Sequence, residues 1–359
     1  MLSLLVLLFS LEFGIRVYDA VVNDEGFFST DKRNQLTALN KFKNGIIPFR
    51  TFGFDLYKEK EGVLYISSRH GELFSIEKPK GVFRIVCFGG STTEQKIGGE
   101  HYPLVLQSML RERSSGKKIE VINVGNSAYA TPHLLILLEL DVVFWKPDLI
   151  ILSENINDLS VQWWPNFIFD YSNKYGTKYY TGPDYAARYS VANLIFKHSR
   201  LYWFIKSRIE SVMKREKSWP IMRKFYGDAP NPMAVRVFES NLRSFIILAE
   251  SNGIKVLLST QPLQSREDYF VRQFAYKPYN NQVLYPLHDE FLKHHKHFNS
   301  IIKKIAMDTG VLFLDNNQAM EGKGEYFIDS IHYTQKGIHR LANNYADFLL
   351  ERNVINDAD

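Results

Sequence analysis

From Gly81 onward one alternation repeats: a short apolar run, then a longer segment with helical apolar spacing. No other feature constrains the fold as tightly. The apolar runs are Phe83-Arg-Ile-Val-Cys-Phe88, Ile119-Glu-Val-Ile-Asn123, Pro147-Asp-Leu-Ile-Ile-Leu152, Ile254-Lys-Val-Leu-Leu-Ser259 and Val311-Leu-Phe-Leu-Asp315. Between and after them the spacing predicts helices over 102–113, 132–144, 234–252, 287–308 and 335–351. Strands separated by helices of this length form a parallel sheet covered on both faces, so the expected fold class is α/β, a three-layer α/β/α sandwich around about five parallel strands. In such sheets ligands bind beyond the carboxyl ends of the strands. The loops there are where a site is expected, and the long interruption at 159–232 is an insertion at that rim.

The first 22 residues carry a different signal. The apolar run from Met1 to Leu11 stops at Glu12, with Arg16 one helical turn on. It is shorter than the roughly 20 residues that span a bilayer. No basic residue precedes it and no small-x-small cleavage site follows. The expectation is an uncleaved single-pass membrane anchor over 1–22, with Glu12 and Arg16 paired and the body on the extracytoplasmic side. A core helix of a soluble protein is the alternative. A linker and small cover segment follow over 23–80, then a catalytic domain over 81–353.

Composition removes several classes. With 45% hydrophobic, 14% aromatic and 23% charged residues the chain has ample apolar surface for a core. A single cysteine, Cys87, excludes an internal disulfide and any Cys-cluster zinc site. The net charge of +5 is too small to indicate nucleic acid, and it is local. Residues 197–224 hold nine Lys and Arg against two Glu, with Leu201, Ile205, Ile209 and Val212 on one helical stripe. Two readings stand: an insertion helix packed on the body with solvated charges, or a basic surface for an anionic membrane or an acidic polymer.

Two further groups have plain readings. Trp163, Trp164, Phe167, Phe169, Tyr171, Tyr175, Tyr179 and Tyr180 in the insertion either form its own small core or offer a stacking surface for sugars or an acyl chain. His294, His295 and His297 are expected on a solvated helix face, because adjacent side chains diverge on a helix and no carboxylate partner is evident. There is no phosphate-binding glycine loop and no dinucleotide fingerprint, so neither cofactor nor metal is expected.

The rim loops contain four clusters: Gly89-Gly90-Ser91-Thr92, Gly125-Asn126-Ser127, Asn155-Ile156-Asn157-Asp158 and Asp329-Ser330-Ile331-His332. Ser91 follows two glycines at a strand-to-helix turn that presents a hydroxyl beside backbone N–H groups. Asp329 lies three residues before His332, a spacing that lets its carboxylate meet Nδ1–H and leave Nε2 facing a serine. The Asn157 amide and the Gly125 N–H are candidate oxyanion donors, and Asp158 is read as a structural cap. The bland readings are a turn serine, a capping aspartate, an Asx turn and a turn glycine. The α/β-hydrolase elbow does not fit, since Thr93 stands where its last glycine belongs.

These blocks, in this order and on these elements, resemble the SGNH or GDSL hydrolase superfamily of esterases and lipases over roughly 83–350. The resemblance implies a flavodoxin-like sheet, Ser91 as nucleophile, Asp329 and His332 completing a triad, and an oxyanion hole from Ser91, Gly125 and Asn157. The first block reads Gly-Gly-Ser-Thr rather than Gly-Asp-Ser-Leu, and Asn155 stands where the family usually has Gly. The implied activity is hydrolysis of small O-acyl esters, acetyl esters of a glycan foremost, through an acyl-serine and without a metal. An O-acyltransferase with the same triad is one alternative. A non-catalytic, membrane-tethered glycan-binding or assembly protein on the same scaffold is another.

Overall fold

A computed structural model of the protein describes residues 2–22, 55–114, 116–163, 167–175, 199–213, 229–274 and 286–355. Its strands are β1 (Tyr57–Lys60), β2 (Val63–Ser67), β3 (Leu73–Ser75), β4 (Val82–Gly89), β5 (Lys118–Asn123), β6 (Leu149–Ser153), β7 (Lys255–Ser259) and β8 (Leu312–Leu314). β4 and β6 are buried along their whole length, which is why they read as continuous apolar runs rather than alternating ones. They lie inside a five-stranded sheet of order β5-β4-β6-β7-β8, every neighbouring pair parallel. This is the expected α/β architecture with flavodoxin-like order. The chain reverses direction across the sheet between β4 and β6, and at such a switch point the loops diverge and leave a crevice.

Successive β4 side chains serve opposite layers. Ile85 and Cys87 join Tyr102, Leu106, Leu341 and Tyr345 in one core, from the helices Tyr102–Arg113 and Gln335–Glu351. Phe88 belongs to the other layer, edge-on to Phe245 at 5.2 Å, and beyond it Phe238 packs on Phe298 at 4.8 Å. Those partners come from the helices Pro232–Ser251 and His288–Thr309. Arg84 interrupts the apolar run and is nonetheless fully buried. Its guanidinium donates to Glu120 at 2.8 Å and to the carbonyls of Ser75, Ile76 and Trp145 at 2.8–3.1 Å, so it fastens the cover segment to the sheet.

The cover is a small antiparallel sheet, β1-β2-β3. The turn between β2 and β3 reaches the rim: Arg69 N–H donates to Asn123 O at 2.8 Å, Arg69 Nε to Glu94 at 2.7 Å, and His70 Nε2 meets Glu94 O at 2.6 Å. Residues 23–54 of the expected linker lie outside the described residues.

The chain divides into two compact units, 1–52 with 174–219, and 53–173 with 220–359. In the first, helix Leu2–Val22 contains the expected Glu12–Arg16 pair at 2.9 Å. Glu12 also accepts N–H bonds from Arg200 and Leu201 at 2.9 and 2.7 Å and a hydroxyl from Ser199 at 2.9 Å. It therefore caps helix Arg200–Met213, whose first N–H groups have no acceptor of their own. Among the described residues no helix is long and apolar enough to cross a membrane, so the expected spanning anchor finds no support in the structure. Phe9, Phe13 and Val21 on the first helix, and Ile205 and Ile209 on the second, are exposed. Leu201 of the same stripe is half-buried, and the Val212 side chain and residues 214–224 lie outside the described residues.

Other expectations shift locally. The helix over 132–144 is Thr131–Leu140 followed by a 3-10 turn, Val142–Trp145, which rolls Trp145 into the core. His294 and His295 are buried rather than solvated, and only His297 is exposed. The reason is that helix His288–Thr309 is covered on more than one side, so two adjacent positions both face protein. Burial drives the His295 imidazole down to about 3, keeping it neutral. Trp163 and Tyr171 are core residues, as the plain reading of the insertion aromatics holds, while Phe169 is exposed. Trp164, Tyr179 and Tyr180 lie outside the described residues.

Candidate active site

β4 ends at Gly89, and the chain turns at Gly90 into the short helix Ser91–Glu94. Ser91 is its first residue, where the N–H has no intrahelical acceptor and points out of the helix end. The turn leaves no room for side chains. A methyl group on Gly89 would lie 2.3 Å from Thr93 Oγ1 and 2.6 Å from Ser153 O, and one on Gly90 would lie 2.2 Å from Asn157 Nδ2. Contact with Asn157 and Glu154 alone excludes a side chain at Gly90.

Asp329 organises the loop that faces this turn. Its Oδ1 accepts the N–H groups of Ile331 and His332 at 3.0 and 2.8 Å, and its Oδ2 meets His332 Nδ1 at 2.8 Å. The loop is closed below by Ile328 N–H on His332 O at 2.8 Å, and held sideways by Gln264 N–H on Ser330 O at 2.8 Å. The ring is thereby fixed with Nε2 at 2.9 Å from Ser91 Oγ. Burial raises the affinity of Asp329 for a proton, but the His332 contacts and the two N–H bonds outweigh it and hold the carboxyl below its ordinary range. A carboxylate so held fixes the tautomer with the proton on Nδ1, leaving Nε2 as acceptor.

Asn157 reaches the same turn from the end of β6. Its Nδ2 donates to Tyr129 O at 2.8 Å, which sets the amide plane beside Gly90. Ala128, one residue before that acceptor, holds φ +66°, a left-handed conformation uncommon for a residue with a side chain, on the loop that presents the carbonyl. Asp158 is structural, as expected: fully buried, it accepts the N–H of Thr131 at 3.0 Å and the Tyr171 hydroxyl at 2.8 Å.

Gly125 departs from its expected part. Its N–H donates to Asn123 Oδ1 at 2.9 Å, and a methyl group there would lie 2.5 Å from Glu94 N and 2.7 Å from Thr93 carbon atoms. Its N–H is engaged inside the protein. Asn123 Nδ2 donates to Thr93 O at 2.9 Å, so the Asn123 amide ties this loop to helix Ser91–Glu94 and Gly125 permits the close approach.

Asn155 has φ −156° and ψ −63°. Its side-chain amide leaves the site and donates to His295 O at 3.0 Å and Asn299 Oδ1 at 2.9 Å, anchoring the loop to the helix behind.

Two residues of the site were not legible in the sequence. Glu154 is fully buried beside Gly90, its Oε1 accepting the N–H groups of Asn155 and Asn157 at 3.0 and 3.1 Å. Burial, reinforced by the neighbouring Asp158, pushes its carboxyl up to about 8. Gln95 joins helix Ser91–Glu94 to the His332 loop through the backbone of Tyr333. A glutamate after a strand and a glutamine after a short helix carry no pattern that marks them.

No family model matches the chain, and no curated protein matches it. Solved structures do. A catalytic mutant of an acetylxylan esterase from Geobacillus stearothermophilus is similar over 76% of this chain and 96% of its own, at 15% identity and a TM-score of 0.44. A lipase/acylhydrolase from Enterococcus faecalis is similar over 75% and 96%, at 17% identity and 0.44. A GDSL-like lipase from Bacteroides thetaiotaomicron is similar over 76% and 87%, at 14% identity and 0.40.

Proposed function

We propose that this protein is a serine esterase that cleaves small O-acyl esters through an acyl-serine intermediate. One observation carries the reading: Ser91 Oγ, His332 Nε2, His332 Nδ1 and Asp329 Oδ2 stand in one hydrogen-bonded line, with contacts of 2.9 and 2.8 Å. His332 accepts the Ser91 proton as Oγ attacks the ester carbonyl, and Asp329 stabilises the imidazolium that forms. In this reading the Ser91 N–H and the Asn157 amide bind the oxyanion of the tetrahedral intermediate, the amide giving up its long 3.5 Å contact with Glu154 Oε2 to do so. Collapse of that intermediate expels the alcohol, which takes the proton from His332. Water then repeats the sequence at the acyl carbon, releasing the acid and restoring Ser91.

For the substrate we propose an acetyl ester of a glycan, the class that the resemblance to SGNH hydrolases implies. An O-acyltransferase would share every step but the last, with a sugar hydroxyl replacing water. The Asn155 side chain supports a working site over the non-catalytic alternative, because its amide is taken up by His295 O and Asn299 Oδ1 and stays clear of the Ser91–His332 contact. The test is fluorophosphonate labelling, with acetate release from an acetylated glycan measured with and without an acceptor sugar. We expect labelling and release from the wild type, and neither from a folded Ser91→Ala variant. An unchanged rate in Ser91→Ala refutes the reading.

A further inference from the structure

We propose that Gln95 is a positioning residue that clamps the histidine loop to the nucleophile turn and so sets the distance between Ser91 and His332. The inference rests on the esterase reading and refines it. Ser91 and His332 are 241 residues apart in sequence and arrive on different elements, one on the helix after β4 and the other on the loop before the last helix. Their 2.9 Å contact depends on whatever registers these two elements.

Gln95 makes that registration directly. Its Nε2 donates to Tyr333 O at 2.7 Å, and its Oε1 accepts the Tyr333 N–H at 2.8 Å. The side-chain amide thus pairs with a peptide unit as one strand pairs with another. Both bonds lie next to the reacting groups. Tyr333 is the residue after His332, and the Gln95 backbone N–H donates to Ser91 O at 2.8 Å. Besides the direct contact, Ser91 and His332 are connected through Gln95 and Tyr333 by hydrogen bonds of 2.7–2.8 Å, two of them side by side.

The chemistry of this residue is specific. Only a carboxamide offers a donor and an acceptor side by side. Glutamate keeps the acceptor but sets a carboxylate against Tyr333 O, and alanine removes both contacts. Gln95 touches neither the Ser91 hydroxyl nor the imidazole in any hydrogen bond described, so its effect passes through the loop. A second tie between the same regions, Gln335 Nε2 on Glu100 at 2.8 Å, fastens the start of the last helix to the segment before Tyr102 and does not involve the His332–Tyr333 backbone. It is the natural control.

The experiment uses the full chain with p-nitrophenyl acetate as probe, together with amide hydrogen exchange at Tyr333. A misplacement of about 1 Å costs on the order of 100-fold in rate, so Gln95→Ala is expected to lower kcat by about 10- to 100-fold with KM changed less than about twofold. Gln95→Glu is expected to be impaired in the same way, and Gln335→Ala to retain the wild-type kcat. Exchange at the Tyr333 amide is expected to quicken in Gln95→Ala and not in Gln335→Ala. The proposal is overturned if folded Gln95→Ala keeps kcat within about twofold of wild type, or if Tyr333 exchange is unmoved. Should the wild type fail to cleave the probe, the esterase reading falls, and exchange alone then decides whether Gln95 holds the loop.

Discussion

Replacing Gly90 by Ala separates the contribution of the oxyanion side from that of the triad. The added methyl group would lie 2.2 Å from Asn157 Nδ2, 2.9 Å from Glu154 Oε2 and 3.4 Å from Asn157 Cγ. An ordinary contact is about 3.5 Å, so the amide must retreat by more than about 1 Å. It has little freedom to do so. Nδ2 is held by Tyr129 O at 2.8 Å, the Asn157 backbone N–H is held by Glu154 at 3.1 Å, and Glu154 itself is buried. Two consequences have different sizes. Overpacking is expected to cost about 1–3 kcal/mol of stability, and displacing one oxyanion donor about 10²- to 10³-fold in kcat. KM should hardly change, because the donor acts on charge that develops in the transition state. Steady-state kinetics on p-nitrophenyl acetate, with urea unfolding of the same preparations, measures both. Asn157→Ala is expected to match the kcat loss, and the double variant to lose little more, since both changes remove one interaction. A Gly90→Ala enzyme with kcat within about threefold of wild type would refute the assignment of Asn157 to the oxyanion.

Asp329→Asn should preserve the loop outline but lose the charge and the tautomer control, lowering kcat by about 10⁴-fold, as in triads generally; a loss under tenfold in steady-state kinetics counts against the triad. Because the Asp329 carboxyl is held below its ordinary range, its stabilisation is present at neutral pH and fades as pH falls through that lowered value, an acid limb that unfolding curves should show as shallower in Asp329→Asn. Glu154 has the opposite sign. Its raised value of about 8 means that the native state binds more protons than the unfolded one from about pH 4.5 to 8, so stability falls as pH rises across that window. Glu154→Gln should flatten this slope and be relatively more stable at pH 8, and parallel Tm-against-pH curves for the two proteins would rule the buried acid out. Arg84→Ala leaves Glu120 and three carbonyls without their donor and should destabilise the protein by about 3–5 kcal/mol in urea unfolding; a loss under about 1 kcal/mol would show that the buried guanidinium is not what fastens the cover.

What was legible in the sequence was what periodicity and local spacing determine. The five parallel strands stand where the apolar runs are, since a strand buried on both faces admits little but apolar residues. Asp329 and His332 could be paired by counting, because a three-residue spacing lets the carboxylate fold back onto the ring. The Glu12–Arg16 pair was visible for the same reason. Properties set by neighbours distant in sequence were not. The Gly125 N–H faces Asn123 Oδ1 because the Asn123 amide is turned inward by Thr93, some thirty residues earlier in the chain. His294 and His295 are buried by elements that close over their helix, and Glu12 meets an N-terminus 188 residues away. Sequence alone determined the layers, the order of the strands along the chain and the residue types at its rim. Only tertiary structure decided which of those residues face one another, how far apart Ser91 and His332 stand, and that burial raises the proton affinity of Glu154. Distance and desolvation are properties of packed neighbours, and no periodicity along one chain encodes them.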